Sequence, residues 1–575
     1  MAQDPLQTTY DAVVVGSGAT GGWAAKQLGE AGLKVALLEA GRAVSPKEFT
    51  EHMPSYKLKY RDHSPEVVRT RPVQKQCYAC MEYNYEWFVN DLENPYSTPP
   101  GKPFTWQRLR ILGGRSLVWG RQSYRLSDND FKAAGRDGYG DDWPIGYADL
   151  APYYDIVERY VGISGATEGN EMLPDGQFLP PMKMSCGEVQ LRARVKAKFG
   201  HTVTIGRTAI LTQNHNGRLA CHYCGPCERG CSTFSYFSSP FTTVKDALAS
   251  GNCTLFTNAV VSHVDMDTEP NKTRGVTYVD RLTRQVKEVR GKAVILCAQA
   301  LESTRILLNS STREYPNGLA NSSGALGRYL MDHVVGGGAT GHLPDFKIAP
   351  NANEPRRPNG IYVPRFRNTP SSKKERFLRG YGYQGGAGAE FNFIAEGYGA
   401  SMKKSVKEGV YGASLGAFGE SLARWDNYIE IDSNLKDAWG IPALRISMTH
   451  GGCRRHGGGN VGSGRRQRYP RASGCRNAGN GHTRTGNSPH GERSEEVSAQ
   501  CVQPGARREK FVRDGRSELC VVGVPEPDPY HDGVDGPRMR SSDWPFPQRR
   551  DLVQTPLWSK NSPWSLPEPD SQPRL

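Results

Sequence analysis

Two groups of residues in this 575-residue chain have the types and spacing to do chemistry. The first is Gly16-Ser17-Gly18-Ala19-Thr20-Gly21, followed by an acid, Glu39, 21 residues after Gly18. Gly16 permits a tight turn, Gly18 removes the Cβ that would block a pyrophosphate, and Gly21 lets a helix pack close to a strand. An acid about 20 residues on is placed to hydrogen-bond a ribose. The second group is Cys221, Cys224, Cys227 and Cys231, a C-x2-C-x2-C-x3-C run. That spacing matches bacterial iron–sulfur segments, although Ser232 stands where the usual motif has Pro. Four thiolates also form a tetrahedral zinc set, and the thiols can equally be free.

The glycine loop needs a strand before it and a helix after it. Residues 11–15 (DAVVV) form a β-branched run, residues 22–31 (GWAAKQLGEA) have helical character, and Val35-Ala36-Leu37-Leu38 make a second strand ending at Glu39. This βαβ order predicts a dinucleotide site in which helix N-terminal amides meet the phosphates. It leaves FAD and a nicotinamide as alternatives, and a plain βαβ turn is the bland reading.

Composition narrows the class. Lys and Arg number 73 against 59 Asp and Glu, a net charge of +14. Residues 451–575 contain 20 Lys/Arg and 14 Asp/Glu, so +6 of that charge lies in the last part of the chain and +8 in the first 450 residues. No apolar run approaches the ~20 residues of a membrane span, and residues 1–11 lack a basic region followed by an apolar stretch. Thirteen cysteines are too sparse for a disulfide scaffold. The expectation is a cytoplasmic protein with reduced thiols, periplasmic only by co-export with a partner.

Further segments carry a family resemblance: RLRILGGRSLVWG at 108–120, WPIGYADLAPYYDIVERYVGI at 143–163, VILCAQALESTRILL at 294–308 and LGRYLMDH at 326–333. In this order, with the N-terminal motif, they resemble the glucose-methanol-choline (GMC) oxidoreductase family, sugar and polyol dehydrogenase branch, over about residues 10–450. The resemblance implies an α/β protein, with an FAD-binding Rossmann-like domain (1–334) and a sheet-rich α+β substrate domain (335–450). It implies FAD held by Gly16, Gly18, Gly21 and Glu39, by the loop of Gly113, Gly114 and Ser116, and by the backbone at Val261. For these positions the bland readings are packing glycines and a core valine. Trp425 and Trp439 are read as core, with stacking on a sugar as the alternative. The implied reaction is oxidation of the CH–OH group of a sugar, sugar acid or polyol. Electrons pass to an acceptor other than nicotinamide, with a small subunit or cytochrome as partner. The Cys221–Cys231 run suits an electron-relaying iron–sulfur cluster in that setting.

At Gly451 the character changes. Residues 451–510 contain three Val and no Leu, Ile or Phe, so too little apolar surface is present to offset ordering entropy and a disordered tail is expected. At face value its Gly/Arg-rich stretches read as a nucleic-acid-binding tail, the rival function. The sharper reading is a shifted frame. The resemblance implies a His before a Gly-Thr-Ala-Arg-Met-Gly block and then a Cys-Gln-Asn-Pro-Thr run, and neither is present. Read one base later, residues 510–530 permit Asn-Leu-Phe-Val-Thr-Asp-Gly-Ala-Ser-Phe-Val-Ser-Ser-Ala-Cys-Gln-Asn-Pro-Thr-Leu-Thr without conflict. Residues 486–488 permit Ala-Ile-His, and residues 490–493 permit Met-Gly-Asn-Ala. The catalytic His and its Asn partner would then be encoded across Ser488 and Glu526, and the chain as written has no catalytic pair. His333 is read as a core or surface residue, not a substitute.

Overall fold

Val13 and Val14 are wholly buried, as are Val35 to Leu37; strands apolar on both faces belong inside a parallel sheet covered on both sides. In the computed structural model these residues lie in β1 (Thr9–Val15) and β2 (Val35–Leu38), joined by α1 (Ala19–Glu30). The structure describes residues 5–449, except 54–56, 58–63, 270, 347–356, 373–376, 391–397 and 408, and then 519–521. The first sheet runs β4-β2-β1-β7-β6-β5, with β4 at Cys253–Phe256, β5 at Ala259–Met266, β6 at Thr273–Asp280 and β7 at Val286–Leu296. β4, β2, β1 and β7 are parallel, whereas β5 and β6 pair antiparallel with each other and then with β7. Its core gathers Val13, Val15, Leu38, Val264, Val276, Val294 and Leu296.

A second, antiparallel sheet has the order β3-β9-β10-β11-β8. Its strands are β3 (Thr204–Ile205), β8 (His333–His342), β9 (Ile361–Val363), β10 (Tyr381–Glu390) and β11 (Val410–Glu420). One face packs on the helix Cys186–Phe199 through Leu191 and Val195, which meet Ile361, Val363, Tyr383 and Leu415. That helix starts in a capping box: Glu188 N donates to Ser185 Oγ at 3.2 Å and Ser185 N to Glu188 Oε2 at 2.8 Å. β12 (Tyr428–Lys436) and β13 (Pro442–Ser447) form a separate hairpin. Ile429, Leu444 and Ile446 of this hairpin pack on Leu301 of the helix Ala300–Asn309.

The architecture is the expected α/β sheet with separate antiparallel sheets. β3 joins the second sheet from far upstream of residue 335, and the hairpin at 428–447 packs beside residues 104–106 and 301 rather than into that sheet. The expectation of a wholly structureless tail needs one correction, because Leu519–Val521 form β14, parallel to the end of β7. Leu519-Cys520-Val521 is an apolar triplet beyond the apolar-poor stretch 451–510, and β7 offers it a free edge past its pairing with β6. The remainder of 451–575, including Ser488 and Glu526, lies outside the described residues. Among the described residues no helix is long and apolar enough to cross a membrane.

Candidate cofactor site

The glycine loop closes the gap between β1 and α1. Gly16 has φ +99°, and a Cβ there would lie 2.4 Å from Cys297 O at the end of β7. A Cβ on Gly21 would lie 1.7 Å from Gly16 O. Both positions demand glycine, the first for backbone conformation and the second for close approach of the helix. Gly18 is the N-cap of α1 and supplies no side-chain cap, and a Cβ on it would meet nothing within 4 Å. The first turn of a twelve-residue helix is therefore left without a side-chain cap, the arrangement that receives a phosphate.

Glu39, at the end of β2, is buried beside this loop. Its Oε1 accepts from Gly41 N at 2.7 Å and its Oε2 from Ser17 Oγ at 2.5 Å and Ser17 N at 3.3 Å. Burial pushes its pKa up, and the donors from Ser17 and Gly41 oppose that without cancelling it. Ser17 also accepts from Gly113 N at 2.8 Å, which ties the second loop to the first. Gly113 has φ +89°, and Gly114 faces space that a Cβ would not fill. Ser116 Oγ donates to Gly113 O at 2.7 Å and accepts from Ser239 N at 3.0 Å, while Ser239 Oγ donates to Ser17 O at 2.7 Å. Four separate segments thus meet through three buried serines. Sequence reasoning placed Ser116 but passed over Ser17 and Ser239; Ser17 was visible as the residue between two functional glycines, whereas nothing marked Ser239.

Val261 lies on β5, half-buried against the main core. Asn258 N donates to Gly41 O at 2.8 Å and Ala259 N to Glu39 O at 2.9 Å, so the start of β5 is fastened to the end of β2. All eight expected cofactor residues therefore belong to the two glycine loops or to the strands joined to them. They fit FAD: two cradles lack a Cβ where a ligand backbone must approach, an uncapped helix follows the first, and a buried acid at the end of β2 is tied to the same loop.

The cysteines differ from expectation. Among the described residues no three His, Cys, Asp or Glu side chains converge as a metal set. Cys227 and Cys231 turn into an apolar cluster with Met182, Ile205, Ile210 and Tyr236, while Cys221 and Cys224 remain partly exposed. The loop bends through left-handed residues at Tyr223 and Gly225, and the thiols pack as small hydrophobes. Burial pushes Cys221 up to about 11 and Cys224 up to about 12. The ligand set expected of Cys221, Cys224, Cys227 and Cys231 is not formed in this structure. His333 stands edge-on to Phe418. Trp439 is buried with Val260, Val279 and Ile441, and Trp425 is half exposed.

Comparison with known proteins gives the same picture. Residues 10–335 match the family model described as GMC oxidoreductase. The chain is 30% identical over 459 residues to the 2-methyl-1,2-propanediol dehydrogenase of Mycolicibacterium austroafricanum, covering 76% of this chain and 76% of that protein. It is 30% identical over 325 residues to paromamine 6'-oxidase of Streptomyces fradiae, covering 56% of this chain and 53% of the relative. It is 26% identical over 333 residues to the fructose dehydrogenase large subunit of Gluconobacter japonicus, covering 56% and 58%. The chain spans just over half the length of the last two.

Proposed function

The chain belongs to the GMC oxidoreductase family, and from that premise we propose that its scaffold oxidises the CH–OH group of a sugar, sugar acid or polyol with FAD. When bound, the flavin accepts hydride from the carbinol carbon. The observation that carries the reading is the cradle in which Gly16, Gly18 and Gly21 stand against Glu39 and are tied to the Gly113 loop through Ser17. The uncapped amides after Gly18 would receive the pyrophosphate, Glu39 would accept from the ribose, and the Gly113-Gly114 backbone would line the flavin.

The electron acceptor in this reading is not a nicotinamide. The Gluconobacter relative is named as a large subunit, which supports a smaller partner subunit here; a cytochrome as electron acceptor is part of the same reading. No step is assigned to a metal at Cys221–Cys231, whose thiols are not arranged as ligands.

The chain as written is proposed to lack turnover, because the general base and its Asn partner are encoded in the shifted frame across Ser488 and Glu526. The support is the unbroken agreement of residues 510–530 with the family's C-terminal run when read one base later. Resequencing codons 445–460 tests this, and an unambiguous read with no extra or missing base overturns it. The function itself is tested on the frame-corrected protein, with a panel of sugars and polyols and an artificial electron acceptor. A yellow protein bleached by one of them supports the reading. For the chain as written, a colourless protein with salt-sensitive RNA binding supports the nucleic-acid tail instead.

A further inference from the structure

The connection from β10 to β11 carries the helix Gly399–Lys407, of sequence GASMKKSVK, with three lysines and no acid. β10 and β11 pair as far as Glu390 and Val410, so both ends of this connection are fastened to one end of the second sheet. Every residue from Tyr398 to Lys404 is exposed, a run longer than one helical turn. Among the described residues, no side of that turn is turned into a core. Yet the run is not uniformly polar: Tyr398, at the entry to the helix, is 90% exposed, and Met402, four residues on, is 36% exposed. A helix of a soluble domain normally turns its apolar residues toward the core. Here two large apolar side chains stand in water beside Lys403 and Lys404.

The composition and the size of this surface select what it meets. The lysines give it a positive charge that an anionic partner complements. Nine residues make a helix about 14 Å long, and two apolar side chains cannot supply the roughly 800 Å² per partner of a stable protein interface. An anionic bilayer needs no such area, because each cation near its surface adds to the attraction and the apolar groups enter only the headgroup boundary. Tyrosine suits that boundary, with an apolar ring and a polar hydroxyl, and lysine reaches outward on an apolar stem.

We propose that the helix Gly399–Lys407, with Tyr398 at its entry, is a docking surface for an anionic lipid bilayer. Tyr398 and Met402 enter the headgroup boundary, and the lysines face the lipid phosphates. The contact lies on the membrane and does not span it, and it is independent of the flavin chemistry.

The test is co-sedimentation of the full chain with vesicles of equimolar phosphatidylglycerol and phosphatidylcholine, and with phosphatidylcholine alone. The parent should bind the mixed vesicles at about 0.1 M salt, ignore the neutral ones, and dissociate at about 1 M salt, where charges are screened within about 3 Å. Lys403→Gln with Lys404→Gln should weaken binding about 30-fold, at about 1 kcal/mol per lysine. Lys403→Arg with Lys404→Arg should stay within about threefold of the parent. Tyr398→Ser with Met402→Ser should weaken binding about tenfold. All four positions are exposed, so the variants should melt with the parent; where the double Gln variant does not, Lys403→Gln alone is read, with about a fivefold loss expected. Residues 451–575 carry a net charge of +6, and vesicle binding through them would leave the Gln variants binding as the parent does, which overturns the proposal. A parent that binds neither vesicle overturns it too. So does binding of an RNA oligonucleotide, or self-association in light scattering, that falls in the helix variants while vesicle binding does not.

Discussion

Ser17 and Glu39, 22 residues apart in the chain, meet through a hydroxyl–carboxylate hydrogen bond of 2.5 Å, and the same hydroxyl accepts the Gly113 amide at 2.8 Å. One buried oxygen therefore ties together the first glycine loop, the buried acid Glu39 and the second glycine loop. Ser17→Ala removes both bonds and should weaken FAD about tenfold or more. Flavin fluorescence titration of the apoprotein reads this directly. An unchanged dissociation constant would show that the two loops hold their places without Ser17.

Gly21→Ala forces a methyl to within 1.7 Å of Gly16 O. Backbone cannot yield as a flexible side chain does, so the expected cost is about 3 kcal/mol or more, with loss of FAD uptake. Gly18→Ala is the matched control: its Cβ meets no protein atom within 4 Å, so the apoprotein should melt within about 1 kcal/mol of the parent while FAD binding falls. Denaturant melts of the two apoproteins, compared with their FAD titrations, separate packing from ligand approach.

Glu302 lies among three arginines, 3.4 Å from Arg305, 3.5 Å from Arg110 and 3.6 Å from Arg108. Burial raises its pKa, but Arg305, Arg110 and Arg108 outweigh burial and hold it below the usual carboxylate range. A folded-state value below the unfolded one, about 4.3, contributes stability that is fully present above that value. It is lost as pH falls through the lower folded one. Glu302→Gln should therefore cost about 3–5 kcal/mol at pH 7, with the gap to the parent closing in acid. A gap that stays constant between pH 7 and pH 3 would remove the charge argument.

Restoring the shifted frame should raise polyol-dependent dye reduction by about 10²- to 10⁴-fold, the usual contribution of a positioned general base. Equal rates in the chain as written and in the frame-corrected protein would mean that the base lies within the first 450 residues. Stopped-flow flavin bleaching under anaerobic conditions measures this without interference from the acceptor.

The nucleotide half was legible because its constraints are local. β1, the glycine loop, α1 and β2 follow one another within 30 residues, and a pyrophosphate-binding turn needs glycines at fixed spacing whatever surrounds it. The Cys221–Cys231 spacing carried an equally local signal but did not determine the outcome, since convergence of thiols depends on the path of the loop and on what Cys227 and Cys231 pack against.

Other relationships were set only by tertiary structure. Ser239 reaches Ser17 across 222 residues, and β3 leaves its neighbours in sequence to pair with β9. The glycine cradle follows from local sequence alone, since steric exclusion and helix-end polarity act within a few residues. Which distant hydroxyl steadies that cradle was decided by long-range packing, because a hydrogen bond between remote segments exists only once the sheets have brought them together.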